Sequence, residues 1–300
     1  MSVRKLLQQR DGLSASPGPA VGVSEGGRLA VFLGTTPNIG ATVASFGTAA
    51  AMARLSGRSV GYLCLNLKSS KLHRYLGRNE TPFGLNQLRA DLKSRSLTRQ
   101  RLLQSCDRFS GLTNLSVLFG STLREQAEFL QPDDVSHLLK TARATFDLCL
   151  VEVNAYWDNA ATVQTLLEAD ERLLVTTPDI THFQEDRSRW LGSLSPLFGL
   201  DLEPFRLVVS QAEKPSLTGG IGWRDIEKET GLPVWAQIAK RDEVLAHLNQ
   251  GKLLELLRQP VFAEVFQGLA RTCLQGWGVD CSHAITERRR LFRFMPRTTP

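Results

Sequence analysis

Seven short apolar runs alternate with stretches of helical periodicity, and this alternation constrains the fold of the chain more than any other feature. Several runs are apolar at nearly every position, which is typical of parallel strands covered on both faces. Strand–helix alternation predicts an α/β fold, namely a doubly wound, mostly parallel β-sheet flanked by helices in a single domain. The predicted strands are 29–33, 60–66, 115–119, 148–153, 172–177, 205–210 and 234–238.

Local signals between these runs indicate where helices begin and end. Gly57 and Gly231 stand where a C-terminal cap favours glycine, and Pro132 stands where a helix begins. The predicted helices are 41–55, 132–144, 159–167, 183–194, 223–230, 242–248 and 261–274. We expect one domain over residues 28–276, preceded by a flexible leader (1–27) and followed by a basic amphipathic tail (277–300).

Charge is distributed unevenly along the chain. The formal net charge is +6, but residues 281–300 hold five arginines and one acid, so the other 280 residues carry only +2. A near-neutral body disfavours a broad nucleic-acid surface. The five cysteines form no CxxC pair, which suits a reducing cytoplasm. No apolar run approaches the ~20 residues that cross a bilayer.

Residues 34–42 occupy the place of a phosphate-binding loop, between the first predicted strand and the first predicted helix. In such a loop, backbone N–H groups at the helix start hold the phosphates and a lysine neutralises their charge. Here Ala41 takes the lysine position, and Lys68 and Lys71 after the second strand are the candidates to replace the cation. The residues that we expect to contact a nucleotide, if one binds, are Gly34, Thr36, Asn38, Ile39, Gly40, Ala41, Thr42 and Lys68.

Three loop residues fit a known variant of this motif, KGGxGK[ST]. Gly34, Gly40 and Thr42 agree with the pattern, whereas Thr36 and Ala41 replace its two lysines. The segment 175–179 (VTTPD) and the segment 230–238 match later landmarks in the expected order. On these residues the chain resembles the ParA/MinD branch of P-loop NTPases, the SIMIBI class, over roughly residues 28–270.

The resemblance implies a site that has lost two acids, because Cys64 and Asn66 stand where the family has aspartates. The Walker B acid survives as Glu152, and Thr42 with Glu152 would contact a metal ion. Phosphoryl transfer depends on positioned cations and acids. The resemblance therefore implies a pseudo-ATPase that requires no cofactor, with weak binding of ATP or ADP and Mg²⁺ left open. Alternatively, Glu152 caps the next helix or bonds to loop amides.

The tail segment 287–295 alternates arginines with large apolar residues and resembles the membrane-targeting helix of MinD. A basic amphipathic helix of this kind binds an anionic membrane surface. The alternatives are a disordered tail and a tail docked on the body. The expected membrane contacts are Arg288, Arg289, Arg290, Leu291, Phe292, Arg293 and Phe294.

Within the family, the chain is most similar to the TadZ/CpaE group, which is tied to Flp/Tad (type IVb) pilus assembly. The leading interpretation is a localisation or assembly scaffold with little or no ATP hydrolysis, cytoplasmic or peripheral on the inner face of the membrane. The alternatives are a slow nucleotide-dependent switch ATPase of the MinD/CpaE type and a ParA-like DNA-partition ATPase. Expected partners are proteins of a pilus or polar machine, a second copy in a homodimer and an anionic membrane, but not nucleic acid. Tyr156 and Trp157 either form a partner surface or pack over the sheet edge.

Overall fold

A single mixed sheet organises the computed structural model, which describes residues 26–68, 70–78, 83–185, 188–203, 205–213 and 220–281. The strand order across the described sheet is β3-β4-β2-β5-β1-β6-β7-β8. Only the edge pair β3–β4 of this sheet is antiparallel, and the other described pairs are parallel. The strands are β1 Arg28–Gly34, β2 Val60–Leu65, β3 Asp107–Phe109, β4 Leu112–Leu118, β5 Leu148–Val153, β6 Glu171–Thr176, β7 Phe205–Ala212 and β8 Val234–Ala239.

Helices connect the parallel strands. The α-helices are α1 Ala41–Ser56, α2 Leu72–Tyr75, α3 Arg89–Lys93, α4 Arg99–Gln104, α5 Pro132–Thr145, α6 Ala160–Glu168, α7 Ser195–Leu197, α8 Trp223–Thr230, α9 Asp242–Asn249, α10 Leu253–Leu256 and α11 Pro260–Gly276. Leu85–Leu88 and Arg124–Phe129 are 3₁₀-helical, and Thr181–Glu185 and Ser188–Leu194 are π-helical. None of the described helices has the length and apolar character that a membrane span requires.

The two faces of the sheet carry separate hydrophobic cores. In β1, Leu29 and Val31 face a core that includes residues of α5 and α6, whereas Ala30 and Phe32 face a core built with α1 and α11. Because every residue of such a strand is covered, its sequence is apolar without alternation. The doubly wound α/β fold in a single domain is thereby confirmed.

Caps end the helices where the sequence predicts. Gly57 and Gly231 take left-handed backbone angles (φ 63° and 70°) after α1 and α8. Pro132 opens α5, which therefore begins where proline's missing N–H has no intrahelical partner to lose.

The strand register places the carboxyl ends of three strands side by side. Glu152 of β5 lies opposite Phe32 of β1 and Cys64 of β2, since β5 is sandwiched between these two strands. The carboxyl ends of β1, β2 and β5 are therefore neighbours, and the loop after β1 lies beside the last residues of the other two.

The structure differs from the sequence-based expectation at several places besides the short helices. β3 was not predicted, because three residues that include Asp107 and Arg108 carry no apolar run. The predicted α-helix 183–194 forms π-helical turns instead. After α11, Trp277, Val279 and Cys281 still pack against the core, so the body continues past residue 276. The leader 1–25 and the tail 282–300 lie outside the described residues.

Candidate functional site

The loop between β1 and α1 makes a tight turn at two residues. Asn38 and Gly40 both have positive φ angles, 64° and 97°. A Cβ on Gly40 would lie 2.6 Å from the Ser210 Oγ, so both the backbone angle and the close approach require glycine here. Pro37 lacks a backbone N–H and removes one donor that a phosphate would use.

Two hydrogen bonds connect this loop to neighbouring elements. The Thr35 N–H donates to the Val175 carbonyl at 2.9 Å, and the Trp190 indole N–H donates to the Thr35 carbonyl at 2.9 Å. Trp190 stacks on Trp157, with ring centroids 5.5 Å apart and planes 15° apart. Trp157 is therefore a buried packing residue, whereas Tyr156 beside it is 46% exposed.

Glu152 is the centre of a buried hydrogen-bond network, with only 2% of its surface exposed. The Thr42 hydroxyl donates to its Oε1 at 2.5 Å, and the Tyr62 hydroxyl donates to its Oε2 at 2.7 Å. The Asn66 side chain and the more distant Cys64 thiol (3.7 Å) also bond to this carboxyl group. Ser45 supports Tyr62 through a hydroxyl–hydroxyl contact of 2.8 Å.

Burial sets the protonation of this network. It raises the pKa of Glu152 above its ordinary value, although the donors from Thr42 and Tyr62 act in the opposite direction. Burial, followed by the nearby Glu152 charge, raises the pKa of Tyr62 well above its ordinary value and that of the Cys64 thiol as well. The phenol and the thiol therefore keep their protons, and both carboxyl oxygens accept hydrogen bonds from the protein itself.

The arrangement does not fit a magnesium site. Mg²⁺ needs oxygen ligands about 2.0–2.1 Å away in octahedral geometry. Here the Thr42 hydroxyl donates to Glu152 Oε1, and Tyr62, Asn66 and Cys64 fill the rest of the roughly four acceptor positions of this carboxyl group, which leaves none for a metal ion or its water. Cys64 and Asn66 supply a thiol and an amide in place of carboxylates. In the described part of the chain, no group of His, Cys, Asp and Glu side chains is placed to hold a metal ion.

A cavity of about 340 Å³ lies against the loop. Helix α2 closes one side of it and α9 the other, and the two helices pack together where Gly77 and Gly251 approach closely. Glu152 and Asn66 line it from the strand ends. Its other lining residues are Gly34, Thr36, Pro37, Asn38, Gly40, Ala41, Thr42 and Val43 from the loop and α1, with Lys71, Tyr75, Leu245 and Leu248.

A second cavity of about 500 Å³ extends from the same loop toward the ends of β7 and β8. The two cavities share Asn38 and Gly40 in their linings. The polar residues that line the second cavity include Ser210, Gln211 and Asp242, none of which the sequence analysis proposed as a site residue. Together the cavities form an elongated cleft along the carboxyl edge of the sheet.

The candidate cations occupy different places. Lys68 forms an ion pair with Asp158 and lies over the Tyr156 ring, 5.3 Å from its centroid. Lys71 lines the cavity beside the loop. Ile39 is buried in the core beneath the loop. Of the predicted contacts, the structure therefore gathers the loop residues, Thr42 and Glu152 around the cavity, and leaves Lys68 and Ile39 outside its lining.

Other sequence interpretations are resolved by the same contacts. Asn159, and not Glu152, caps α6, because its Oδ1 accepts from the Thr162 N–H at 3.0 Å. Sequence reasoning missed Tyr62, although a signal existed: residues 62, 64 and 66 point to one face of β2, the face that the family uses for its acids. Ser45, one turn into α1, gave no comparable signal.

No protein-family model and no curated protein sequence matches the chain. Solved structures do match it. A ParA family ATPase from Chlorobium tepidum TLS has a TM-score of 0.70 at 20% identity, over 81% of this chain and 98% of that one. The chain has the fold of the ParA and MinD ATPases.

Two further structures agree. MinD from Pyrococcus horikoshii OT3, solved with Mg-ADP, has a TM-score of 0.66 at 17% identity and covers 84% of this chain and 98% of its own. A putative plasmid partition protein from Borrelia burgdorferi B31, bound to AMPPNP, has a TM-score of 0.64 at 13% identity over 83% and 99% of the chains. At these identities the likeness establishes the fold, and the activity has to be argued from the site.

Proposed function

We propose that this chain is a ParA/MinD-fold protein without effective ATP hydrolysis that acts as a localisation or assembly scaffold. One observation carries this proposal: donors from Thr42, Tyr62, Asn66 and Cys64 fill the roughly four acceptor positions of the Glu152 carboxyl group, so it is not free to position a metal ion or its water. The sequence resemblance to the TadZ/CpaE group supports Flp/Tad pilus machinery as the assembly served.

Missing cations support the same conclusion. Thr36 and Ala41 stand where the family has lysines, and each charge-assisted hydrogen bond contributes about 1.5–3 kcal/mol. Loss of two such contacts weakens the hold on a triphosphate by roughly 10²- to 10⁴-fold, at about 1.4 kcal/mol for each factor of ten. Transition-state stabilisation by positioned charge is lost with them.

Exposed apolar side chains at the carboxyl edge of the sheet support a role in protein contacts. Tyr156 after β5 is 46% exposed and Ile180 after β6 is 51% exposed. Aromatic residues are enriched at interfaces. One structural neighbour, MinD from Aquifex aeolicus, was solved as a MinC:MinD complex, so this fold supports assembly with a protein partner. A pilus protein, a second copy of the chain and, through residues 288–294, an anionic membrane are the partners that we propose.

A slow nucleotide-dependent switch is the second candidate, and one observation favours it. Lys71 lines the cavity beside the loop, where it could replace one missing lysine. The neighbours bound to Mg-ADP and AMPPNP make nucleotide the natural ligand to test. The hydrogen bonds that Thr42 and Tyr62 already make to Glu152 make hydrolysis the weaker part of this candidate.

Steady-state ATP turnover by the full chain tests the proposal. With Mg²⁺ and saturating ATP, we expect a rate no higher than that of Thr42→Ala, the matched variant that removes the one hydroxyl a metal would use. We also expect no activity from Ala41→Lys, because the acids at positions 64 and 66 remain missing. A rate that depends on Thr42 would overturn the scaffold proposal in favour of the switch.

A further inference from the structure

Positive charge is concentrated in one part of the chain. Residues 68–124 contain eleven Lys and Arg against three Asp and Glu, a net charge of +8. Residues 281–300 carry +4, so the rest of the chain carries −6 within its total of +6. The small net charge of residues 1–280 therefore conceals a strongly basic region and an acidic remainder.

The fold gathers cations from four segments around β3, the edge strand of the sheet. Arg78 lies 3.2 Å from the Asp107 carboxylate and over the Phe109 ring. Arg74 is an exposed residue of α2, and the chain turns at Gly77 (φ 73°) before it reaches Arg78. These contacts place the segment 72–78 beside β3. Arg108 of β3 lies on the opposite face, because it pairs with Ser116, whereas Asp107 pairs with Val117 of the core built with α1 and α11.

Two other segments bring further cations to this edge. The guanidinium of Arg258 lies 3.6 Å from the position of a Cβ on Gly111, in the turn between β3 and β4. The close approach of Gly251 to Gly77 places Lys252 next to the α2 turn. We call the following set the β3 basic surface: Arg54, Arg58, Arg74, Arg78, Lys252 and Arg258.

Arg54 and Arg58 come from the end of α1. The Arg58 carbonyl accepts a hydrogen bond from the Asn114 side chain of β4 at 2.8 Å. Burial, followed by the positive charge of Arg258, lowers the pKa of Arg54. Like charges therefore crowd each other at this edge.

Carboxylates leave most of the β3 basic surface unneutralised. Asp107 pairs with Arg78, Asp147 is held by Ser59 near Arg58, and Glu255 lies one turn before Arg258. Among the described residues, no cation of this surface other than Arg78 forms an ion pair. Six cations thus lie beside three carboxylates, and a surface of this kind attracts an anion with many charges.

We propose that the β3 basic surface is a second membrane-contact site, which binds the anionic phospholipid headgroups of the surface that the tail also contacts. The inference deepens the proposed localisation role and rests on it. Clusters of four to eight Lys and Arg suit anionic headgroups. Val261, 43% exposed in the first turn of α11, lies three residues from Arg258, and a membrane interface accommodates such an apolar side chain.

Membrane contact through both the β3 basic surface and the tail gives the proposed localisation a physical basis. Arg258 precedes α11 and the tail follows it, so the two basic regions are joined by one helix of about 25 Å, at 1.5 Å per residue. A single weak membrane signal gives only reversible binding, and two signals on one chain bind more strongly through effective concentration.

Vesicle co-sedimentation of the full-length protein tests this surface. The background variant carries Arg288→Ser, Arg289→Ser, Arg290→Ser and Arg293→Ser, which removes the charge of the tail. Arg74→Ser with Lys252→Ser is added to it; both residues are exposed and neither forms an ion pair in the described structure. The matched control adds Lys140→Ser with Lys228→Ser, two exposed lysines elsewhere, for the same change in net charge.

The tail-neutralised protein should still bind vesicles of phosphatidylcholine with phosphatidylglycerol, but not phosphatidylcholine alone. Each cation near an anionic leaflet contributes roughly fivefold to affinity. The Arg74/Lys252 variant should therefore bind roughly thirtyfold more weakly than the control. Equal affinity of the two variants, no binding by the tail-neutralised protein, or binding to duplex DNA in preference to vesicles would each overturn the proposal. ATP turnover is measured separately, so failure here is distinct from failure of the scaffold proposal.

Discussion

At the scale of single residues, Glu152 has the position of a catalytic acid and the contacts of a structural one. Its sequence position marks it as the surviving Walker B residue, yet Thr42 and Tyr62 donate to its two oxygens. Sequence alone identified Glu152 and Thr42 but not their bond, because the partners lie 110 residues apart and meet only through the strand register. The same limit hid Tyr62 and Ser45.

Tyr62→Phe should lower the free energy of unfolding by about 1–3 kcal/mol, because it removes a buried donor and leaves Glu152 Oε2 short of a partner. Urea denaturation of the wild type and the variant measures this change. Tyr156→Phe is the matched control, since it deletes the same atom from a side chain that is 46% exposed, and it should change stability by less than about 0.5 kcal/mol. Equal effects at the two positions would contradict the network.

Stability should depend on pH through Glu152. Burial raises its pKa in the folded state above the 4.5 of a free glutamate. The folded protein then binds more protons than the unfolded chain between the two pKa values, so stability falls as pH rises through that window. Relative to Glu152→Gln, the wild type should lose stability from about pH 4.5 upward and level off above the folded pKa.

Denaturation at a series of pH values measures this difference directly. Glu255→Gln, at an exposed position, controls for the general loss of one negative charge. A wild-type advantage over Glu152→Gln that grew with rising pH would mean that the hydrogen bonds outweigh burial at this carboxyl group.

At the scale of elements, the apolar runs predicted seven strands to within a few residues, because strands covered on both faces carry a strong signal. β3 escaped prediction because an edge strand of three partly polar residues has none. The short helices α3 and α4 were also missed, since four to six residues are too few to establish helical periodicity. The cavity walls from α2 and α9 depend on a tertiary contact that no local pattern encodes.

Packing of α1 against α11 gives an element-scale prediction. A Cβ on Gly47 would lie 2.7 Å from three ring atoms of Phe266, so Gly47→Ala should destabilise by about 1–3 kcal/mol despite alanine's better helix propensity. Gly268→Ala, on α11 with no heavy atom within 4 Å, should instead stabilise by up to about 1 kcal/mol. Thermal or urea unfolding checks both variants, and stabilisation by both would show that the two helices are not in close contact at Gly47.

At the scale of the whole molecule, a ParA/MinD-type fold surrounds a site with few charged side chains. The fold depends on apolar strands and on turns that require glycine, whereas phosphoryl transfer depends on a few ionic side chains, and at the positions that the sequence resemblance indicates for them stand Thr36, Ala41, Cys64 and Asn66. The sequence therefore predicts the fold well, but it predicts the chemistry only through the ionic side chains that it lacks at the expected positions. The distribution of charge was predicted poorly, because a net charge of only +2 over residues 1–280 concealed the basic β3 edge.

The central claim is that Thr42 and Glu152 satisfy each other and do not bind a metal ion. Isothermal titration calorimetry of the full chain with ATP, in Mg²⁺ and in EDTA, tests it most directly, with Thr42→Ala as the matched variant. We predict that any affinity for ATP is the same with and without Mg²⁺ and is unaffected by Thr42→Ala. Affinity that rises at least tenfold with Mg²⁺ and is lost in Thr42→Ala would contradict the account.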